Sequence, residues 1–218
     1  MSVEQELVVV GGGGHGRETI EMLLAADRPF LGVVDDDLQH PDRLAALGAA
    51  HLGGLDQLAV LDGAGRRCGH VVAIGDPGAR RRVAERCAPD SDAADAVIHP
   101  TATIGHEVQL GAGTIVSAAA VLTTNVRIGR HVQVNVGTVV SHDSVVDDYA
   151  TLSPGVLVNG DVHIGEGAFL GTGAIIVRGN VVGAGARVGA GAVVVSDVAP
   201  GTTVVGVPAR PVGGASNP

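Results

Sequence analysis

Two groups of residues in this chain have the types and spacing to do chemistry. The first is His142-Asp143. A neutral imidazole can take a proton near pH 7, and an adjacent carboxylate favours the imidazolium that results. A pair of this kind suits a general base that strips a proton from a nucleophile. A histidine on a surface corner is also an ordinary solvated residue, so the pair alone does not define a site. The second group is Gly11-Gly12-Gly13-Gly14-His15-Gly16, followed by Asp35-Asp36-Asp37. Gly11, Gly13 and Gly16 fit GxGxxG, and Asp35 follows at the spacing of a dinucleotide fingerprint. The physics is general: glycines let a phosphate approach backbone N–H groups at a helix N-terminus. His15 could equally bond its own loop, and the aspartates could be a solvated strand end.

The elements that must carry these groups follow from periodicity. Stepping by six from Ile98 gives an aliphatic residue 17 times in succession, ending at Val194. If roughly a third of residues were Ile, Leu or Val, such a run would arise by chance on the order of once in 10⁸. Small residues cluster two places before these positions, as at Ala120, Ala150 and Ala168. Glycine often follows them, as at Gly105, Gly111 and Gly171. A period of six excludes an amphipathic helix. It fits a parallel β-helix of three hexapeptides per triangular coil, with the aliphatic side chains stacked inward and glycine easing the corner dihedrals. His142 falls two places past Val140, at a corner where a side chain can leave the coil.

Residues 1–90 read as a separate unit. Strands are expected at Leu7–Val10, Leu31–Val34 and Val71–Ile74, with helices over Arg17–Ala26 and Arg80–Cys87. That makes a Rossmann-like βαβ domain with room for about three strands, half of a dinucleotide fold. A nucleotide monophosphate or a nucleotide-diphosphate sugar suits a half-site better than NAD. Ala88–Asp92 reads as the link to residues 91–218.

Composition narrows the classes further. The chain has two Phe, one Tyr, no Trp and 34 Gly, so its core must be built from small and aliphatic residues in short strands. The net charge is −9, all 14 basic residues are Arg, and no basic run is interleaved with aromatics. Nucleic acid is therefore not an expected partner. Cys68 and Cys87 lack metal-ligand spacing and read as reduced cytosolic thiols. Glu4 and Glu6 precede the first strand in place of a signal peptide, and no apolar run reaches membrane-span length. A cytoplasmic protein is expected.

Taken together, Val10–Gly16, Val34-Asp35-Asp36, Ala73-Ile74-Gly75, Ile98-His99-Pro100, Asn135-Val136-Gly137, Ser141-His142-Asp143, Leu152–Gly155 and Val205–Ala209 closely resemble one family. It is the PglD/NeuD-like group of bacterial nucleotide-sugar N-acetyltransferases acting on 4-amino-4,6-dideoxy sugars, enzymes of cell-surface glycan biosynthesis. Their sialic acid O-acetyltransferase-like relatives are similar too. The resemblance implies a left-handed coil, a homotrimer with active sites between coils, acetyl-CoA as co-substrate with no permanently bound cofactor or metal, and a nucleotide-linked amino sugar as acceptor. By the same resemblance His142 is the general base and Asp143 raises its basicity. Gly13, Gly14, His15, Asp35, Asp36 and Gly75 hold the nucleotide, and Asn135 lies near the sugar amine. The Gly160 N–H faces the thioester oxygen, and Thr172 and Ala190 line the coenzyme A groove. Relatives often carry His at the position of Thr151, beside the acetyl group; here a threonine hydroxyl would make that contact.

Two other classes compete. Some hexapeptide trimers resemble zinc hydratases, and His106 and His142 share a column two coils apart. That site needs a further histidine five places after His142, where this chain has Asp147. The third possibility is a nucleotide-binding scaffold without catalysis.

Overall fold

The computed structural model describes residues 6–65 and 68–212. Glu4, read above as leading into the first strand, lies outside them. The chain begins with β1 (Leu7–Val10), α1 (Gly14–Ala25), β2 (Phe30–Val34), α2 (Pro41–Ala45), β3 (His51–Gly53), α3 (Gln57–Gly63), β4 (Gly69–Val72), α4 (Pro77–Cys87) and β5 (Asp92–Ala93). The sheet order is β3-β2-β1-β4-β5, and every pairing is parallel. This corrects the expectation of three strands. Five of the six strands of a doubly wound dinucleotide fold are present, so strand number gives no reason to prefer a half-site. The extra strands are two or three residues long and sit on the edges, where no alternating apolar pattern is needed. The segment 88–92 is not a free link either, because Asp92 already pairs on β4.

Both faces of this sheet are covered. Leu7, Val9, Val33 and Val71 pack with Ile20 and Leu23 of α1. Val8, Val10, Val34 and Val72 pack with Leu58 of α3 and Ala84 of α4. Cys68 and Cys87 are both buried, and burial pushes the Cys87 thiol up to about 12.

From Val97 onward the chain forms a parallel β-helix. Three sheets of eight, six and five short strands make its sides. From Val97 to Val194 each strand pairs with the one 18 residues away, as Val121 pairs with Thr103 and Val139. The aliphatic positions from Val116 to Val194 are all buried. Ile98 and Leu110, in the first coil, are only partly buried and Ile104 is exposed, because their strands end their sheets and no earlier coil stacks on them.

The glycines that follow the aliphatic residues serve a different purpose from the expected one. Gly105, Gly111, Gly165 and Gly171 do not have positive φ. A Cβ there would strike the backbone of the next coil, at 2.5 Å from Gly129 C for Gly111 and 2.6 Å from Ala190 N for Gly171. The left-handed conformation falls two residues later, three past each aliphatic position from Ile104 to Val188. Glycine takes it at Gly137 and Gly155, but Asn125, His131, Asp143 and Tyr149 also take it. Asn and Asp tolerate this region better than most residues.

The two units are joined through α4. Arg80 donates to carbonyls of His131, Tyr149 and Ala150 in the coil. Arg81 pairs with Glu166 and lies over the Tyr149 ring. Gln133 Nε2 donates to Ile74 O at 2.9 Å. The coil therefore stands against the end of β4, where the second half of a dinucleotide site would begin.

Candidate active site

The glycine turn opens at the carboxyl ends of β1, β2 and β4. This is the switch point of the sheet, where strand order reverses. A cavity of about 480 Å³ lies there, lined by Gly13, Gly14, His15, Asp35, Asp36 and Gly75 among others. All six residues expected to hold a nucleotide thus meet in one place. Gly16 must be glycine because a Cβ would collide with Gly11 O, which α1 approaches as it leaves the turn. Gly13 caps α1 without a side-chain hydrogen bond, so no side chain of the cap takes the first-turn N–H groups. Uncapped N–H groups at a helix start favour an anion.

The acids differ in what they offer. Asp35 is committed to the fold: it accepts from Gly12 N at 2.7 Å and Asp37 N at 2.9 Å. Asp36 accepts from Leu55 N and from Arg86 at 3.1 Å, and these bonds, Leu55 first, hold its carboxyl below the usual range. His15 Nδ1 lies 3.3 Å from Glu18 Oε2, while its buried Nε2 has no partner. That nitrogen is the polar atom left unsatisfied at the pocket wall.

His142 sits on another corner. Its Nδ1 is 2.7 Å from Asp143 Oδ2. The positive φ of Asp143, 61°, turns its carboxylate onto the imidazole. Asn125, one coil below and also in the left-handed region, donates from Nδ2 to Asp143 Oδ1 at 2.6 Å. This bond first, and His142 second, hold the Asp143 carboxyl low. Sequence reasoning missed Asn125; its signal is the 18-residue offset from Asp143. On the other side the ring lies directly over Gly160, one coil above, where a Cβ would overlap it.

Thr172 and Ala190 line a groove of about 350 Å³ with Ser153, Phe169, Gly171 and Arg187. These residues belong to the corner between the eight- and six-stranded sheets, whereas His142 and Gly160 turn between the six- and five-stranded ones. Asn135 joins neither cavity lining: it is nearly buried, and its Nδ2 donates to Leu152 O at 2.8 Å. Thr151 departs from expectation. It is 3% exposed, its hydroxyl donates to Gly75 O at 2.9 Å, and Arg80 Nη2 donates to it at 3.0 Å. A hydroxyl buried and used in this way braces the Gly75 edge of the cavity and has its one proton committed there.

Sequence reasoning gives Arg80 no role beyond the start of a helix. It is fully buried, and burial pushes it down to about 10, so it remains a cation at neutral pH. Asp147, the position that a zinc hydratase would need, is paired with His163 at 2.8 Å. Among the described residues of one chain, no three His, Cys, Asp or Glu side chains gather as a metal site.

A hexapeptide coil with a histidine–carboxylate pair on one corner, fronted by a nucleotide-type sheet, defines a hexapeptide acyltransferase. Residues 6–87 match the family model described as the PglD N-terminal domain. No curated protein matches the chain. A perosamine N-acetyltransferase from Caulobacter crescentus, solved as a histidine-to-asparagine variant with CoA and GDP-perosamine, is 34% identical; 97% of this chain and 98% of that chain are covered, with a TM-score of 0.89. The acetyltransferase domain of PglB from Neisseria gonorrhoeae is 32% identical over 95% of this chain and 100% of that one, with a TM-score of 0.88. WeeI from Acinetobacter baumannii is 30% identical over 95% and 99%, with a TM-score of 0.79. The chain belongs to the PglD/NeuD-like family of nucleotide-sugar N-acetyltransferases. Its coil is the left-handed β-helix of that family.

Proposed function

We propose that the protein transfers the acetyl group of acetyl-CoA to the C4 amine of a nucleotide-linked 4-amino-4,6-dideoxy sugar. The observation that carries this reading is the pairing of two features in one chain. One is His142, held between Asp143 and Gly160; the other is a nucleotide-sized cavity at the switch point of the sheet. The perosamine enzyme, similar over 97% of the chain, was solved with CoA and a nucleotide sugar together.

The chemistry follows from the geometry. With Nδ1 bonded to Asp143, the neutral imidazole carries its proton there and leaves Nε2 as the base. The sugar amine attacks the thioester carbonyl, a C–N bond forms, and Nε2 takes the proton that the nitrogen sheds. The oxyanion needs a fixed donor, and the Gly160 N–H beside the ring can supply it. When the tetrahedral intermediate collapses, the C–S bond breaks and the imidazolium returns its proton to the departing thiolate. The thioester is reactive enough that no covalent enzyme intermediate is needed.

Residues 1–90 hold the nucleotide sugar in this reading, and residues 91–218 hold acetyl-CoA. Within one chain the first unit docks at His131, Tyr149 and Thr151, while His142 is on a different corner and the groove at Thr172 and Ala190 on a third. Neighbouring coils of a homotrimer bring three such corners together. Asn135 then stands near the sugar amine. The reaction belongs in the cytoplasm, where acetyl-CoA is available. No helix among the described residues is long and apolar enough to cross a membrane.

The test is thiol release from acetyl-CoA with a panel of UDP-, dTDP- and GDP-linked 4-amino sugars. Turnover with at least one member is expected. A folded protein that turns over none of them refutes the function.

A further inference from the structure

We propose that Arg80 is a positioning residue for this reaction: it locks the Ile74-Gly75 edge of the nucleotide pocket onto the coil and so fixes where the bound sugar is presented. The proposal rests on the function proposed above. The guanidinium, which is 0% exposed, reaches acceptors in both units. Nη1 donates to Ile74 O at 2.7 Å and Gly75 O at 3.1 Å, the strand-end carbonyls beside the pocket. Nε donates to His131 O at 2.8 Å, and Nη2 to Tyr149 O, Ala150 O and Thr151 Oγ1. The Thr151 hydroxyl closes the loop by donating to Gly75 O, and Gln133 Nε2 adds a bond to Ile74 O.

All six acceptors are neutral oxygens. A buried cation whose hydrogen bonds all go to neutral oxygens, with the Asp76 carboxylate acting on it only through space, is a poor way to gain stability, since an apolar side chain of similar volume often serves as well or better. What a guanidinium offers instead is direction: five N–H donors in one rigid plane. Here that plane is anchored to three carbonyl oxygens and a hydroxyl of the coil and holds two carbonyls at the pocket rim. Lysine keeps the charge but cannot span this set.

The test is calorimetric titration of wild type, Arg80→Lys, Arg80→Met and Thr151→Val with UDP, dTDP and GDP, and separately with CoA. Steady-state KM values for nucleotide sugar and acetyl-CoA accompany it. Nucleoside diphosphate affinity is expected to fall about tenfold or more in the Arg80 variants, as oriented hydrogen bonds are lost, and several-fold in Thr151→Val. CoA affinity and the KM for acetyl-CoA should stay within about twofold, since the groove at Thr172 and Ala190 is untouched. Folded Arg80 variants that bind both ligands as wild type does would reduce Arg80 to a domain fastener and overturn the proposal. If the Arg80 variants do not fold, or lose both ligands together, Thr151→Val decides. A selective loss of nucleoside diphosphate supports the proposal, and an unchanged or unselective profile overturns it. A wild type that binds none of the three nucleotides overturns the pocket assignment itself.

Discussion

Gly160 offers the sharpest test of the active-site geometry. In Gly160→Ala the new Cβ would lie 2.5 Å from His142 Nε2, where ordinary van der Waals contact begins near 3.4 Å. The ring must therefore retreat by about 0.9 Å, or swing off the 2.7 Å bond to Asp143 that fixes its tautomer. A misplacement of about 1 Å at a reacting group costs on the order of 100-fold in rate, or about 2.7 kcal/mol of barrier. The fold has little reason to object. Gly160 does not have positive φ, and a methyl group there leaves the Asp161 N–H bond to His142 O in place. Steady-state thiol release should show kcat down about 100-fold, with both KM values and the melting temperature close to wild type. A kcat within about threefold of wild type would mean that the position of His142 does not matter to the chemistry.

Asn125→Ala removes the donor that holds Asp143 Oδ1, so the Asp143 carboxyl should rise toward its ordinary value and lose its aim at His142. A fall in kcat of about five- to tenfold, with unchanged CoA affinity, is expected from steady-state rates and titration; unchanged kcat would remove Asn125 from the support of His142. Acid should loosen the seam between the two units. His70 and His131 are stacked in that seam with ring centroids 6.1 Å apart, and burial pushes each down to about 4. Their unfolded value is near 6.5, so unfolding takes up protons below it. Their contribution is whole above pH 6.5 and drains as pH falls toward 4, by about 3 kcal/mol for one such group. Melting temperatures from pH 7.5 to 4.5 should fall through that window, and less steeply in His131→Asn; parallel curves for the two proteins would remove His131 from the explanation.

The coil was legible because its inward positions are aliphatic at every sixth residue, and stacking allows no slip. The reason for the following glycines was not legible: close approach to the next coil and a left-handed corner both select Gly, and only the backbone separates them. In the first unit, Leu7–Val10 and the glycine turn announced themselves through β-branched residues and a motif. His51–Gly53 and Asp92–Ala93 did not, because short edge strands need no apolar alternation. His142-Asp143 stood out as adjacent residues, whereas Asn125 becomes their neighbour only once the 18-residue coil is known. Arg80 was the least legible of all. In the run Arg80-Arg81-Arg82 it looks like a solvated helix face, and only the docking of α4 on the coil buries one of the three. Thr151 could be placed by analogy beside an acetyl group, yet the same docking gives its hydroxyl to Gly75 and Arg80.

The central claim is that His142 drives acetyl transfer to a sugar amine. Its most direct test incubates wild type and His142→Asn with acetyl-CoA and the preferred nucleotide-linked 4-amino sugar. The product is then analysed by mass spectrometry before and after hydroxylamine, which cleaves acetate esters and spares amides. Wild type should yield a product carrying one hydroxylamine-stable acetyl group, and His142→Asn should yield almost none while still binding acetyl-CoA. A hydroxylamine-labile product, or equal yields from the two proteins, would contradict the claim.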